Sequence, residues 1–236
     1  MLDSGAYSQM TGKATIELDA YIAYLKSCGH LFDYVINLDV EPLNFDVRNW
    51  NLAHLKKVCP HILPVVHDVY AGEIDLLYDQ GYDYILIGSS RGNDRRQLDF
   101  IFNRYHFSGK YPGIKFHKLG TATYPTLAEY PFYSSDSAVF ELIAGFGIVL
   151  FWNEQREPDR NGDKTDTIYF GGRRKSTSSS ISFSEYQFLS HFEEYLWQKF
   201  GFRLEDMINP QKNEWAVVNM AYGLQLAKII TKLHEV

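Results

Sequence analysis

Short, uninterrupted apolar runs recur along the first part of the chain. Each run has the length of a strand, and its apolar positions are continuous rather than alternating. Continuous apolar strands are typical of a parallel sheet that is covered on both faces. The runs at 34–39, 62–67 and 84–90 predict strands, and we interpret the more polar segments 115–119 and 132–137 as a fourth and a fifth strand.

Segments with apolar residues at helical spacing lie between these runs. The pattern predicts helices over residues 16–27, 50–58, 73–80, 95–105 and 126–129. Thr15 is a candidate N-cap of the first helix, and Cys28-Gly29 is a candidate end. Strands that alternate with helices predict a parallel sheet with helices outside it.

A polar residue follows each predicted strand, where a parallel sheet presents its carboxyl edge. The set is Asp3, Asp39, His67, Ser89, Thr121 and Asp136. A (β/α) barrel brings its strand ends together at one face, whereas a doubly wound open sheet spreads them along a line. We favour the barrel, because carboxylates at both ends of the strand series make chemical sense only if they converge.

The strand count is lower than the eight strands of a (β/α) barrel. The pattern yields roughly five or six strands, and Leu2 would end a strand that has nothing upstream of it. Either the barrel is incomplete, or later segments such as 167–170 supply strands. The expected fold is α/β and TIM-barrel-like, incomplete at the N-terminus, with a C-terminal helical segment.

The second half of the chain has a different character. Residues 153–164 are charged and rich in turn formers, and residues 171–180 are polar and basic. Amphipathic helices are predicted at 184–200, capped by Ser184, and at 213–233. We expect three regions: a (β/α) barrel-type catalytic core at 1–150, a charged, flexible loop region at 151–180, and helices at 181–236 that pack on the barrel.

Three basic residues of the loop region, Arg173, Arg174 and Lys175, are candidates for binding nucleic acid. Arginine and lysine side chains bind phosphate oxygens and position a protein on a nucleic acid without reading its sequence. The competing interpretation is a solvated loop that binds nothing.

Net charge, cysteine content and the length of apolar runs limit which partners and which cellular compartment we expect. The net charge of −6 excludes a surface that is strongly basic overall, so we expect any binding of nucleic acid to depend on a local basic patch. The cysteines Cys28 and Cys59 form neither a disulfide framework nor a zinc cluster, which favours a reducing compartment. No apolar run approaches about 18 residues and no signal peptide is recognisable, so we expect no membrane span and a cytoplasmic location.

The opening stretch Asp3-Ser4-Gly5-Ala6-Tyr7 combines a carboxylate, a hydroxyl, a glycine and an aromatic ring. Asp and Gly disfavour the middle of a strand, so the stretch is interpreted as a strand end that turns into a loop. There the carboxylate is placed for chemistry, and the ring offers a flat face to a ligand. The competing interpretation is a tight turn in which Asp3 or Ser4 caps a helix.

Together, these strand-end residues resemble the tRNA-guanine transglycosylase superfamily, and more narrowly its short phage and bacterial relatives linked to 7-deazaguanine insertion into DNA. The resemblance covers residues 2–140. Asp3-Ser4-Gly5-Ala6-Tyr7 is similar to the family's D-S-G-G-[FY] motif, which implies Asp3 as the general acid/base and Tyr7 as the ring that stacks on the base. Asp39 is similar to the family's base-recognising Asp.

Further positions resemble the family's motifs. Gly88-Ser89 lies where the family has G-G-L, whose backbone contacts the base, and Leu119-Gly120 resembles the M-G pair that covers the ring. His67 or Asp68 stands near a family glutamine. Asp136 lies where the family's F-D-C-V nucleophile falls. The resemblance therefore implies two catalytic residues, Asp136 and Asp3, and a substrate-binding set of Tyr7, Asp39, His67, Gly88, Ser89, Leu119 and Gly120.

The chain also departs from the family's pattern. The C-x-C-x-x-C…H zinc site is absent, so we expect no metal and no other cofactor. Ala138-Val139-Phe140 replaces the P-T-R that follows the family's nucleophile.

The resemblance implies a transglycosylase that exchanges a guanine-type base for a 7-deazaguanine in nucleic acid through a covalent Asp intermediate. One carboxylate stabilises the oxocarbenium-like transition state and bonds to the sugar carbon, and a second transfers the proton to or from the base. In retaining glycosidases such carboxylates lie about 5 Å apart. The implied partners are DNA or tRNA, a free 7-deazaguanine base, and a second copy or a partner subunit, in the cytoplasm of a bacterial or phage-infected cell.

Two alternatives to base exchange stay open. The first is a non-catalytic relative that binds nucleic acid or a partner subunit. The second is an N-glycosidase that releases a base with the same carboxylates.

Overall fold

The computed structural model describes residues 1–88, 95–171, 180–211 and 213–234. It divides the chain into two compact units. The first comprises Met1–Gly120 and Phe132–Ser135, and the second comprises Thr121–Pro131 and Asp136–Val236. This division differs from the predicted boundaries at residues 150 and 180. The packing of the C-terminal helices on a barrel stays a prediction.

The first unit contains short parallel strands whose bounds are β1 Val35–Ile36, β2 Ile62–Leu63, β3 Val65–Val66, β4 Tyr84–Ile87, β5 Lys115–Lys118 and β6 Ser134–Ser135. β1 pairs with β2, and β3, β4, β5 and β6 form a sheet in that order. Every one of these pairs is parallel. Leu2 forms an isolated parallel bridge with Val35. Within each of these two sheets, each strand therefore pairs with the one before it in the chain.

The helices of this unit alternate with the strands, with bounds α1 Ala6–Met10, α2 Leu18–Cys28, α3 Phe45–Lys56, α4 Glu73–Asp79 and α5 Arg95–Ile101. A 3₁₀ turn follows α2, and a π-helical turn over Phe102–His106 follows α5. A mixed α/β fold with parallel sheets is thus confirmed. An eight-stranded barrel is not shown by the described residues.

One face of the parallel strands carries an apolar cluster. Its buried members are Ile36, Leu63, Val65, Tyr84 and Leu86, and Tyr34 and Leu119 pack against them. The residues that alternate with this set, such as Val35 and Ile85, are fully buried as well. Burial on both faces is the reason that the strand sequences are continuously apolar.

The second unit has a different architecture. Its strands are β7 Ile148–Trp152, β8 Thr165–Tyr169 and β9 Ile181–Ser182, and its helices are α6 Tyr124–Glu129, α7 Val139–Ala144, α8 Leu189–Phe200, α9 Leu204–Ile208 and α10 Glu214–His234. β7 and β8 form an antiparallel hairpin, and β9 pairs with β8 in parallel. The predicted strand at 167–170 therefore exists as part of β8, but it joins this sheet rather than the parallel strands.

Several predicted helix starts are wrong. α3 begins at Phe45 rather than at Trp50, because the Asn44 side chain accepts a hydrogen bond from the Val47 backbone and caps the helix. α2 begins after Glu17, so Thr15 is not its N-cap, although Gly29 does follow its end. Ser184 does not cap α8. It lies in a 3₁₀ turn over Phe183–Glu185, and Phe188 is the N-cap.

None of the helices in the described ranges is long and apolar enough to cross a membrane.

Candidate functional site at the carboxyl edge of the parallel strands

The predicted site residues directly follow the last paired residues of their strands. In the first unit, His67 follows β3, Gly88 follows β4, and Leu119 follows β5. Asp3 follows the bridged residue Leu2. Parallel strands present their carboxyl ends at one edge, where α/β folds place binding and catalytic groups.

The ladder of hydrogen bonds continues through these positions in the first unit. The backbone N–H of Gly88 donates to the Val66 carbonyl oxygen at 2.9 Å, and that of Leu119 donates to the Ile87 carbonyl oxygen at 3.2 Å. Gly88 and Leu119 are thereby held on the strand scaffold and not on loose loops.

Asp39 and His67 form a buried pair at this edge. The His67 Nε2 lies 2.6 Å from the Asp39 Oδ2, and the side chains are 6% and 8% exposed. The carboxylate orients the imidazole, as acidic partners of histidine do in proteins. Among the described residues, the buried Nδ1 of His67 has no hydrogen-bond partner.

Helix α3 fixes the backbone on both sides of this pair. The Asn51 Nδ2 donates to the Leu38 carbonyl oxygen at 2.8 Å, one residue before Asp39. The Arg48 Nη1 donates to the Val65 carbonyl oxygen at 2.8 Å, two residues before His67. One helix thus holds the strand ends that carry both side chains.

A buried ion pair ties this helix to the next one. The Arg48 Nη2 donates to the Glu73 Oε1 at 2.6 Å, with side-chain exposures of 3% and 5%. Glu73 is the first residue of α4, where a carboxylate also interacts favourably with the helix dipole. Arg48 therefore links β3, α3 and α4 beneath the Asp39–His67 pair.

Gly88 provides the space in which the His67 ring lies. A Cβ atom built at Gly88 would stand 2.6 Å from Cε1 and 2.7 Å from Nδ1 of His67. Real Cβ atoms do not approach other atoms so closely, so either the ring or the backbone would have to move. The structure thus brings Asp39, His67 and Gly88 together.

Replacing Gly88 by alanine is expected to lower the free energy of unfolding by about 1–3 kcal/mol, because the added methyl overpacks the site. The loss, measured by chemical denaturation, should shrink in a His67→Ala background, where the ring is gone. Gly29→Ala is the control, since Gly29 has helical dihedrals and its nearest neighbour would be 3.6 Å away. An equal loss from Gly88→Ala in both backgrounds would show that the ring is not what the methyl meets.

The opening stretch is anchored at its first residues. The Leu2 N–H donates to the Tyr34 carbonyl oxygen at 2.8 Å, and the Leu2 carbonyl oxygen accepts from the Ile36 N–H at 2.9 Å. Gly5 adopts a left-handed conformation with φ of 76° as the N-cap of α1, which has no side-chain cap. Leu2 thus ends the strand ladder, and the Ser4 Oγ accepts a hydrogen bond from the Ala6 N–H at 3.4 Å, so both the strand-end and the turn interpretation describe part of this stretch. Asp3 is exposed.

Tyr7 lies on α1 with 70% of its surface exposed, so its ring is open to solvent in this structure. An exposed aromatic ring is compatible with stacking and excludes the core interpretation for Tyr7. Its stacking on a base stays a prediction.

Burial and nearby negative charges both affect the pKa of Tyr21. Its hydroxyl donates to the Ile36 carbonyl oxygen at 2.9 Å. Burial raises the pKa of Tyr21 above its ordinary value, and the negative charges of Asp3, Cys59 and Asp39 raise it further.

Leu119 and Gly120 follow β5. Leu119 is partly buried and packs against the apolar cluster of the sheet, and Gly120 adopts a left-handed conformation with φ of 70°. A core role for Leu119 is therefore observed, while its contact with a base stays a prediction.

Asp136 is exposed and belongs to the second unit, immediately after β6. It is not the N-cap of α7, which is Ala138. Ser89, Arg173, Arg174 and Lys175 lie outside the described residues.

Sequence reasoning missed a second polar network, which joins residues of β4, β5 and β6. The Ser134 Oγ lies 2.6 Å from the Tyr84 hydroxyl and 2.6 Å from the His117 Nδ1. The register aligns His117 with Ser134, but a tyrosine and a histidine inside apolar runs carry no signal of such a contact. Arg48 and Glu73 were missed for a similar reason, because charged side chains normally face water.

No group of three or more His, Cys, Asp or Glu residues suited to a metal ion occurs within the described part of the chain. Comparison of the chain with protein-family models, with curated proteins and with solved structures finds no match.

Proposed function

We propose that the protein is a pentosyltransferase that exchanges a guanine-type base for a 7-deazaguanine in DNA or tRNA. The observation that carries the proposal is the buried Asp39–His67 pair, with Gly88 against it, at the carboxyl ends of neighbouring parallel strands. Three residues assigned to base binding from the sequence meet there.

The pair offers hydrogen-bonding groups that suit a nucleobase edge. Only Oδ2 of Asp39 is engaged within the described residues, by His67, which leaves Oδ1 as an acceptor for a base N–H. A buried carboxylate is a strong acceptor, because the surrounding low dielectric strengthens its hydrogen bonds. Tyr7 and Leu119 would cover the two faces of the bound ring.

Asp136 is the proposed nucleophile. Its carboxylate oxygen attacks C1′ of the nucleotide, and the C1′–N bond breaks with its electron pair leaving on the base. The incoming base then attacks C1′ and displaces Asp136. A second group must give a proton to the departing base and take one from the incoming base, and the resemblance implies Asp3 for this role.

The strand order supports the finer fold proposal, a (β/α) barrel. Within each of the two parallel sheets of the first unit, every described strand pairs with its predecessor, without the reversal of order that defines the switch point of a doubly wound sheet. In a barrel the strand ends converge, which base exchange requires. Arg173, Arg174 and Lys175 are proposed to contact the phosphates of the nucleic acid.

An exchange assay tests the function. Oligodeoxynucleotides and tRNA that carry labelled guanine are incubated with the protein and a free 7-deazaguanine base. Base exchange predicts release of labelled guanine together with an equal amount of 7-deazaguanine in the polymer. Release without incorporation would indicate an N-glycosidase instead, and binding of polymer without release would indicate a non-catalytic relative.

A further inference from the structure

The Nδ1 atom of His67 is a buried polar atom without a hydrogen-bond partner among the described residues. The rest of its ring is fixed, since Nε2 binds Asp39 at 2.6 Å and Gly88 lies against the ring. Folded proteins rarely leave such an atom unsatisfied, and the exceptions are often found where the group is used in chemistry. The atom therefore requires an explanation that the packing does not provide.

We propose that His67, held by Asp39, is the acid–base residue that moves the proton of the exchanged base. The inference rests on the proposed function and changes the assignment of one role within it. Asp39 then acts as a positioning residue for His67 as well as an acceptor for the base.

The geometry of the pair suits this role. An aspartate that accepts from one ring nitrogen of histidine fixes the tautomer and stabilises the imidazolium, while the other nitrogen faces the reacting group. Here Nε2–H donates to Asp39, so Nδ1 is the nitrogen that exchanges a proton. Arg48 and Asn51 hold the backbone next to both side chains, so the pair is preorganised.

Asp3 is less well held for the same task. Its side chain is exposed and accepts no hydrogen bond from the described residues, although the backbone beside it is anchored. A carboxylate in water keeps its freedom to rotate, and a base bound nearby would have to order it first. His67 requires no such ordering.

His67 gives up one proton and regains one proton in each catalytic cycle. His67 begins as the imidazolium and gives its Nδ1 proton to the base nitrogen that receives the electron pair of the breaking C1′–N bond. In the second half, the incoming base transfers its N–H proton to Nδ1 as its nitrogen bonds to C1′ and the Asp136–C1′ bond breaks. The imidazolium is restored, and no other reactant is consumed.

His67→Gln and His67→Ala variants test the inference in the exchange assay, after wild-type exchange has been measured. Both variants should lose about 10²–10⁴-fold in the rate of exchange, since neither side chain transfers protons. Added imidazole should restore part of the activity of His67→Ala, where it can occupy the vacated space, and none of the activity of His67→Gln. Asp3→Asn should lose less than His67→Gln.

The outcomes separate the inference from the proposed function. If the wild type exchanges no base, the function itself fails. If the wild type exchanges bases but His67→Gln retains more than about a tenth of the rate, the inference fails and the function stands. Loss of an acid–base residue should reduce the rate by more than that. A larger loss in Asp3→Asn than in His67→Gln would also overturn it.

A second measurement uses the wild-type protein, so it tests the inference even if the His67 variants fold poorly. In wild-type protein with ¹⁵N-labelled histidine, a free 7-deazaguanine base should shift the Nδ1 resonance of His67 in NMR spectra. The Nδ1 resonance of another histidine, His54, should stay in place, because His54 lies on α3 and its Nδ1 is bonded to the Trp50 carbonyl oxygen. An unchanged Nδ1 resonance of His67 at saturating base would contradict the inference.

Discussion

Replacing Glu73 by alanine is expected to lower the stability of the first unit by about 3–5 kcal/mol, because it leaves the buried Arg48 charge without its partner. The two side chains are 3% and 5% exposed and lie 2.6 Å apart, so water does not screen or replace the lost contact. Arg48 also binds the Val65 carbonyl oxygen, so its displacement should loosen the strand that carries His67.

Amide hydrogen exchange read on peptides from α3 and α4 measures this loss locally, which matters in a chain with two compact units. Asp79→Ala is the matched control, because Asp79 ends the same helix and is exposed, and it should change stability by less than about 0.5 kcal/mol. Glu73→Gln, which keeps the shape and an acceptor oxygen, should fall between the two. A loss below about 1 kcal/mol for Glu73→Ala would mean that Arg48 is not buried with Glu73.

Replacing Asp136 by asparagine is expected to reduce base exchange by about 10³-fold or more, as is typical when a member of a catalytic set is removed. The amide is close in size to the carboxylate but is a poor nucleophile at C1′, so the covalent step is lost while binding of the nucleic acid survives. The loss should therefore appear in the rate at saturating substrate and not in the affinity for the polymer.

The control for Asp136 is another acidic residue of the second unit. Glu157 is exposed in the turn-rich segment between β7 and β8, so Glu157→Gln should leave the exchange rate within about twofold of wild type. Equal losses in both variants would point to net charge and not to a nucleophile.

The strands and most helices were accessible from the sequence because they follow local rules. The run that forms β4 is apolar and is followed by small residues, and the structure places a strand there. The start of α8 was missed for a reason of tertiary structure. The Tyr186 hydroxyl donates to the buried Asp166 Oδ2 at 2.5 Å, and this contact holds the residues after Ser184 in a non-helical path.

Strand pairing was harder to predict than strand existence. The segment that became β8 was a candidate strand for the barrel, but its partner β7 was not predicted, so its membership in a separate antiparallel sheet could not be inferred. Pairing depends on contacts between distant residues, which a local pattern does not contain.

The same distinction applies to the candidate site. Asp39 and His67 were selected because each follows a strand, and their convergence was expected from parallel strand geometry. That they bind each other, across 28 residues of sequence, was not predicted. Nor was the support from Arg48 and Glu73, since a helix pattern alone does not say that a charged pair is buried.

The most direct test of base exchange by a covalent route is the intact mass of the protein, measured under denaturing conditions after incubation with a guanine-containing oligonucleotide. We predict an adduct of protein and oligonucleotide that maps to the peptide containing Asp136, is absent in Asp136→Asn, and disappears when a free 7-deazaguanine base is added. Base exchange without any adduct, or an adduct that persists in Asp136→Asn, would contradict the proposed mechanism.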